Sequence, residues 1–247
     1  MKYYSVNNKV SLIFFQVTIL LFCFIVVTPG FSQFLINEYT CSLLILTIGL
    51  SHGALDNYKG RRVLSYYKAG SSSAFYFSYL FICFTAVFLW YSYPVLSLIG
   101  LILIGCYHFG KDDSELFHID RGIFEGLLYF MKGTAVVSVP LLLSYSETIE
   151  IFKILSMQSS FLIVFLDYLE SNNIILLLVL MSFVSSIYLP EKFEAKFLMY
   201  IEFSCIVLLN YLFSPFEAFA IYFCFLHSIR HIVVISKSFN LLSSNGN

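Results

Sequence analysis

The chain has 247 residues, 59% hydrophobic and 12% charged, with a net charge of −1 at pH 7. A mean hydropathy of +0.84 and 28 phenylalanines exclude a water-soluble globular protein, because water cannot solvate so much apolar surface. The 14 Lys and Arg are scattered between apolar runs, which excludes a basic nucleic-acid face.

A helix of about 20 apolar residues crosses the hydrocarbon core of a bilayer. Such stretches are predicted near 10–28, 34–54, 74–93, 95–110, 122–145, 173–189, 197–213 and 215–236. The expected fold is all-α, a polytopic transmembrane helical bundle of about eight spans, with seven the other count, in a single integral membrane domain over 1–247. No small-residue cleavage site follows the first span, so it reads as an anchor and not a signal peptide. Pro29-Gly30, Pro94, Pro190 and Pro215 punctuate span ends, and Pro140 inside the fifth span predicts a kink. The apolar run Ile154–Leu166 is short for a span, so an interfacial or re-entrant helix is expected within 146–172; a full span there would invert the sidedness of all that follows.

With the N-terminus inside, the Lys and Arg outside the spans fall in inner segments, from Lys2 through Arg61, Arg62 and Lys111 to Lys237, leaving Lys153 alone on the outer side. That bias places both termini in the cytoplasm of a multi-pass protein of the cell (inner) membrane. The six cysteines lie within apolar runs and form no CxxC pair, which argues against a disulfide framework or zinc ribbon.

On this topology four histidines reach similar inner depth. His52 ends the second span, His108 ends the fourth, and His227 and His231 sit in the inner half of the last. Residues four apart share a helix face, so His227 and His231 can chelate one ion. Ionisable residues at membrane depth are costly and read by default as functional. Imidazole suits iron, zinc, copper and nickel. A ligating ring usually donates its other N–H to a carboxylate, and Asp56, Asp112 and Asp113 stand four or five residues after His52 or His108. Gly53 and Gly110, each directly after a histidine or next but one, would let backbones approach closely. Arg230, between the paired histidines, needs a partner, and Asp56 and Asp113 are the expected ones. Lys132, Glu125 and Glu202 are expected to form structural charge pairs, and His118 in the charged loop is left out of the site.

The blocks His52-Gly53-Ala54-Leu55-Asp56, His108-Phe109-Gly110 with Asp113 beyond, and His227-Ser228-Ile229-Arg230-His231 resemble those of the Brp/Blh family of β-carotene 15,15′-dioxygenases, across roughly residues 45 to 235. Ser51 and Asn57 depart from that pattern, standing where Pro and another polar residue such as His are expected. The resemblance implies cleavage of the central double bond of β-carotene by O₂ to two retinal molecules, the product passing to a rhodopsin. It also implies non-haem Fe(2+) held by His52, His108, His227 and His231. A carotene has no polar handle, so aromatic walls would set its register, with Tyr76, Phe77, Tyr107, Phe109, Tyr129, Tyr222 and Phe225 as candidates.

Rival classes fare unequally. A membrane di-iron desaturase needs about eight histidines, and this chain has five. A rhodopsin needs a Schiff-base lysine in its last span, which holds Arg230 and no lysine. A metal transporter or a bis-histidine haem electron carrier remains the alternative, distinguished by metal uptake into vesicles or a Soret band.

Overall fold

The computed structural model describes residues 2–28, 36–49, 72–114 and 122–233, with 60 and 235 as isolated helical positions. Every regular element among the described residues is helical. Helix α1 covers Lys2–Val27. Helix α2, Glu38–Leu44, runs into a wide π turn at Ile45–Gly49. Helices α3 (Ser72–Ser92) and α4 (Pro94–Asp112) follow. A 3₁₀ turn at Gly122–Phe124 leads to α5 (Glu125–Gly133) and α6 (Ala135–Leu143). Then come α7 (Tyr145–Leu155), α8 (Ser160–Ser171), α9 (Ile174–Tyr188) and α10 (Phe193–Leu212). Helix α11, Pro215–Tyr222, continues through a π turn at Phe223–His227, and the whole stretch Pro215–Val233 is long and apolar enough to span.

Local chemistry sets several of these ends. Asn37 caps α2, its side chain accepting from the Tyr39 and Thr40 N–H groups. Ser214 and Glu217 form a reciprocal capping box around Pro215, which has no N–H to leave unsatisfied at the first helical position.

Five stretches are long and apolar enough to cross a membrane: Asn8–Val27, Pro94–Asp112, Glu125–Leu143, Phe193–Leu212 and Pro215–Val233. A sixth appears if α8 and α9, bent by 70°, make one broken span. The expected count of about eight meets five or six among the described residues, because the expected spans 34–54 and 74–93 are met only by the shorter apolar helices Glu38–Ile48 and Tyr76–Ser92. At the 70° bend between the expected re-entrant helix and the span after it, Asn173 takes left-handed backbone (φ 58°), which asparagine tolerates better than most residues. The second expected span is described only as far as Gly49. The run Ile154–Leu166 is likewise not one helix, because Met157 (φ 51°) and Gln158 (φ 65°) turn the chain between α7 and α8. In the fifth span α5 gives way to α6 at Thr134, whose hydroxyl donates to the Met131 carbonyl at 2.6 Å, and Pro140 lies inside α6.

The two largest of four apolar clusters among the described residues hold most of the bundle. One joins α1, α10 and α11 through Val10, Phe14, Cys205, Leu209, Ala218, Ile221 and Leu226. The other joins α4, α6, α7, α8 and α9 through Leu98, Leu141, Ile149, Leu162, Leu166 and Ile175. Lipid tails are as apolar as these side chains, so close packing and polar contacts must do the holding. The α4–α5 contact shows the first means. A Cβ on Gly110 would collide with the Tyr129 carbonyl, and one on Gly133 with the Cys106 carbonyl. The close approach expected at Gly110 is thus present, and it brings the end of α4 against α5. Helix α3 is exposed on nearly every side, including Phe81, Phe84, Val87 and Phe88, a surface suited to lipid.

Candidate metal centre

The site lies where the C-terminal end of α4 meets the second half of the last helical stretch. Helix α4 presents His108 and, one turn on, Asp112, with Nδ1 and Oδ2 3.8 Å apart. The chain then turns through Asp113 and Ser114. From the facing stretch come His227 and His231, both buried, and Arg230, which is 0% exposed.

The π turn decides how those rings stand. An α-helix drifts forward by about 40° every four residues. At Ser228 the N–H donates five residues back, to the Phe223 carbonyl, and the extra residue cancels part of that drift. The result is a column of four rings. Phe219 stacks on Phe223 at 5.6 Å, Phe223 on His227 at 5.7 Å, and His227 on His231 at 6.4 Å, with interplanar angles of 18°, 24° and 28°. Phe109 of α4 meets His227 edge-on at 4.6 Å, and His108 lies 5.2 Å from the His227 ring and 6.1 Å from His231.

Adjacent carboxylates divide between the two helical histidines. His227 Nδ1 donates to Asp113 Oδ1 at 3.1 Å, and His231 Nδ1 to Asp112 Oδ2 at 2.5 Å. A carboxylate only accepts, so a neutral ring in this contact carries its proton on Nδ1 and its lone pair on Nε2. Tyr222 donates its hydroxyl to Asp113 Oδ2 at 2.6 Å. One ligand atom each from His108, Asp112 and His227 lies within 4.8 Å of the others. Imidazole with carboxylate is a donor set for a borderline divalent transition metal. Among the described residues three carboxylates (Asp112, Asp113, Glu202) face two cations (Arg230, Lys132), so with neutral histidines they sum to one net negative charge. That balance suits a divalent cation, and the residues present fit one.

The structure brings His108, His227 and His231 together; His52, Asp56 and His118 lie outside the described residues. The π turn Ile45–Gly49, just before His52 in the sequence, packs against the π turn that carries His227. Of the two partners expected for Arg230, Asp56 lies outside the described residues and Asp113 does not form the ion pair. The Arg230 ion pair runs to Glu202 of α10, with Nη2–Oε1 at 2.5 Å and Nη1–Oε2 at 3.1 Å, and Asp113 contributes only its backbone carbonyl, at 3.0 Å from Nη1. The two Asp113 carboxylate oxygens accept from Tyr222 and lie against His227. Lys132 donates to Ser114 Oγ at 3.1 Å. It borders, with Asp113, Glu202 and Tyr222, a cavity of about 20 Å³, room for a single water-sized molecule. Of the aromatic candidates, Phe77 is 74% exposed, and Tyr222 is buried and holds a carboxylate; Phe109 and Tyr222 both lie against the His227 ring, at 4.6 and 6.3 Å. Phe219 and Phe223 were not legible as site residues, although their four-residue spacing to His227 was available as a signal.

A family model described as beta-carotene 15,15′-dioxygenase matches residues 43–246. A curated relative named beta-carotene 15,15′-dioxygenase, from the uncultured marine bacterium 66A03, is 27% identical over 207 residues, covering 83% of this chain and 72% of the relative. No solved structure matches the chain.

Proposed function

The chain belongs to the beta-carotene 15,15′-dioxygenase family, and we propose from that premise an iron-dependent oxygenase of the cell inner membrane that splits β-carotene at its central double bond into two retinal molecules. His52, His108, His227 and His231 would hold the Fe(2+). The observation that carries this reading is the convergence of His108, His227 and His231 at an end of α4 where two adjacent carboxylates take the Nδ1 protons of the last two. Support for His52 is the packing of Ile45–Gly49 against Phe223–His227.

Ferrous iron supplies the one-electron chemistry that lets O₂ react with a closed-shell polyene. The chain's own residues have three tasks. Asp112 and Asp113 fix the tautomer and tilt of His231 and His227, which aims both Nε2 lone pairs. Phe109, Phe219 and Phe223 surround the rings with apolar surface that excludes water and offers ring contacts to a polyene without a polar handle. The third task is restraint. One C=C bond and one O₂ become two aldehyde C=O bonds, so no proton is added or removed. A general acid or base has no work here, which accords with carboxylates engaged in holding histidines.

Expression in a carotene-accumulating bacterium tests the reading. Cells should lose their orange colour and yield retinal on chromatography. Persistent colour alongside folded, iron-loaded protein would overturn the β-carotene assignment.

A further inference from the structure

Asp113 is held at both ends. Its carboxylate serves His227 and Tyr222, while its backbone carbonyl accepts from Arg230 Nη1 at 3.0 Å. The same guanidinium is forked onto Glu202 and donates from Nη2 to Ser11 Oγ at 3.0 Å. Ser11 in turn donates to Glu202 Oε1 at 2.6 Å. Glu202 is 3% exposed, and Ser11 and Arg230 are 0% exposed. On the other side Lys132 grips Ser114, the next residue, whose hydroxyl also donates to the Gly110 carbonyl at 2.7 Å.

We propose that Glu202, acting through Arg230, is a positioning residue of the metal centre: the ion pair aims the guanidinium at the Asp113 carbonyl and so sets the Asp113 carboxylate on His227. This rests on the metal-centre reading above. Two physical points favour it over an ion pair that merely braces helices. Burying such a pair costs desolvation that its attraction repays only with ideal geometry, so packing alone is served as well by apolar side chains. Moreover, a single planar group donates four hydrogen bonds at once, two to a carboxylate and one each to a hydroxyl and a carbonyl, which needs arginine's rigid fork and exceeds the three donors of a lysine. The carbonyl contact is the one that reaches the histidine.

The test uses the purified full chain in detergent, with cobalt(II) titrated as the probe and its visible absorption recorded. Glu202→Met with Arg230→Met replaces the pair by apolar side chains of similar length. That double variant should melt near the unaltered protein, bind cobalt(II) about 10–100-fold more weakly and show a shifted absorption band. Unchanged affinity and spectrum in the folded double variant would overturn the proposal. Should the double variant not fold, Arg230→Lys decides, since it keeps a charge for Glu202 and lacks the fork. Weakened, shifted cobalt(II) binding there supports the proposal, and unaltered binding overturns it. An unaltered chain that takes up no cobalt(II) removes the metal-centre reading and this proposal together, which separates the two failures.

Discussion

Asp112 and His231 are 119 residues apart in the chain, and the carboxylate of the first lies 2.5 Å from Nδ1 of the second. Beside them Asp113 repeats the arrangement with His227 at 3.1 Å. Consecutive acids thus serve histidines one helical turn apart, because α4 stops at Asp112 and the next residue is already turning away.

This division predicts separable effects. Asp112→Asn and Asp113→Asn keep the size of each side chain and replace an obligate acceptor by an amide. Each should weaken iron binding by about 10–100-fold, as loss of a carboxylate behind a ligating histidine typically does. Metal titration of the purified protein checks this, and an unchanged affinity in Asp112→Asn would detach His231 from the centre.

The histidines themselves should not be graded. Alanine at His52, His108, His227 or His231 should abolish retinal formation, and His118→Ala should leave it intact. Retinal yield per folded protein is the measurement. Full activity in any one of the first four removes that residue from the ligand set.

The ring column makes a claim about substrate rather than metal. Phe223→Ala removes the ring stacked on His227 without touching a carboxylate. KM for β-carotene should rise, with iron content held at one per chain and kcat changed less. If KM stays fixed, the polyene does not run along this column.

Gly110 is a prediction about assembly. An added methyl group would meet the Tyr129 carbonyl, which is backbone and cannot swing aside. Gly110→Ala should therefore cost about 3 kcal/mol or more, at the upper end of overpacking, and lower the melting temperature together with metal content. Tolerance of the methyl group would mean that α4 and α5 slide apart at little cost.

Much of this site was legible in the sequence, and the physics says which part. The spacing of His227 and His231 needs only a helix to place both rings on one face, and the π turn between them and Phe219 improves the alignment without undoing it. Gly110 beside His108 announced a close approach correctly, since absence of a side chain is visible in any sequence. Glu202 as a partner of Arg230 was not legible. Sidedness favours every acid at inner depth equally, and choosing Glu202, 28 residues upstream, requires knowing that α10 packs on the last helix. Ser11 carried no signal, because serines within apolar helices are common and usually bond their own backbone. The span count suffered from a different cause. Hydropathy sees apolar composition and not where a helix stops, so the apolar runs at 34–54 and 74–93 read as full spans although the helices described there, Glu38–Ile48 and Tyr76–Ser92, are shorter.

The Ser11–Glu202–Arg230 contact carries a consequence for biosynthesis. Chains are inserted from the N-terminal side, so α1 enters the bilayer long before its partners are made. The Ser11 hydroxyl waits until α10 delivers a carboxylate, and that carboxylate waits until the last helix delivers a guanidinium. Each arrival completes an account left open by the one before. A chain released before Arg230 would keep the Glu202 carboxylate without the guanidinium that takes both its oxygens. The residue that sets the metal centre is then also the residue that certifies the bundle as finished.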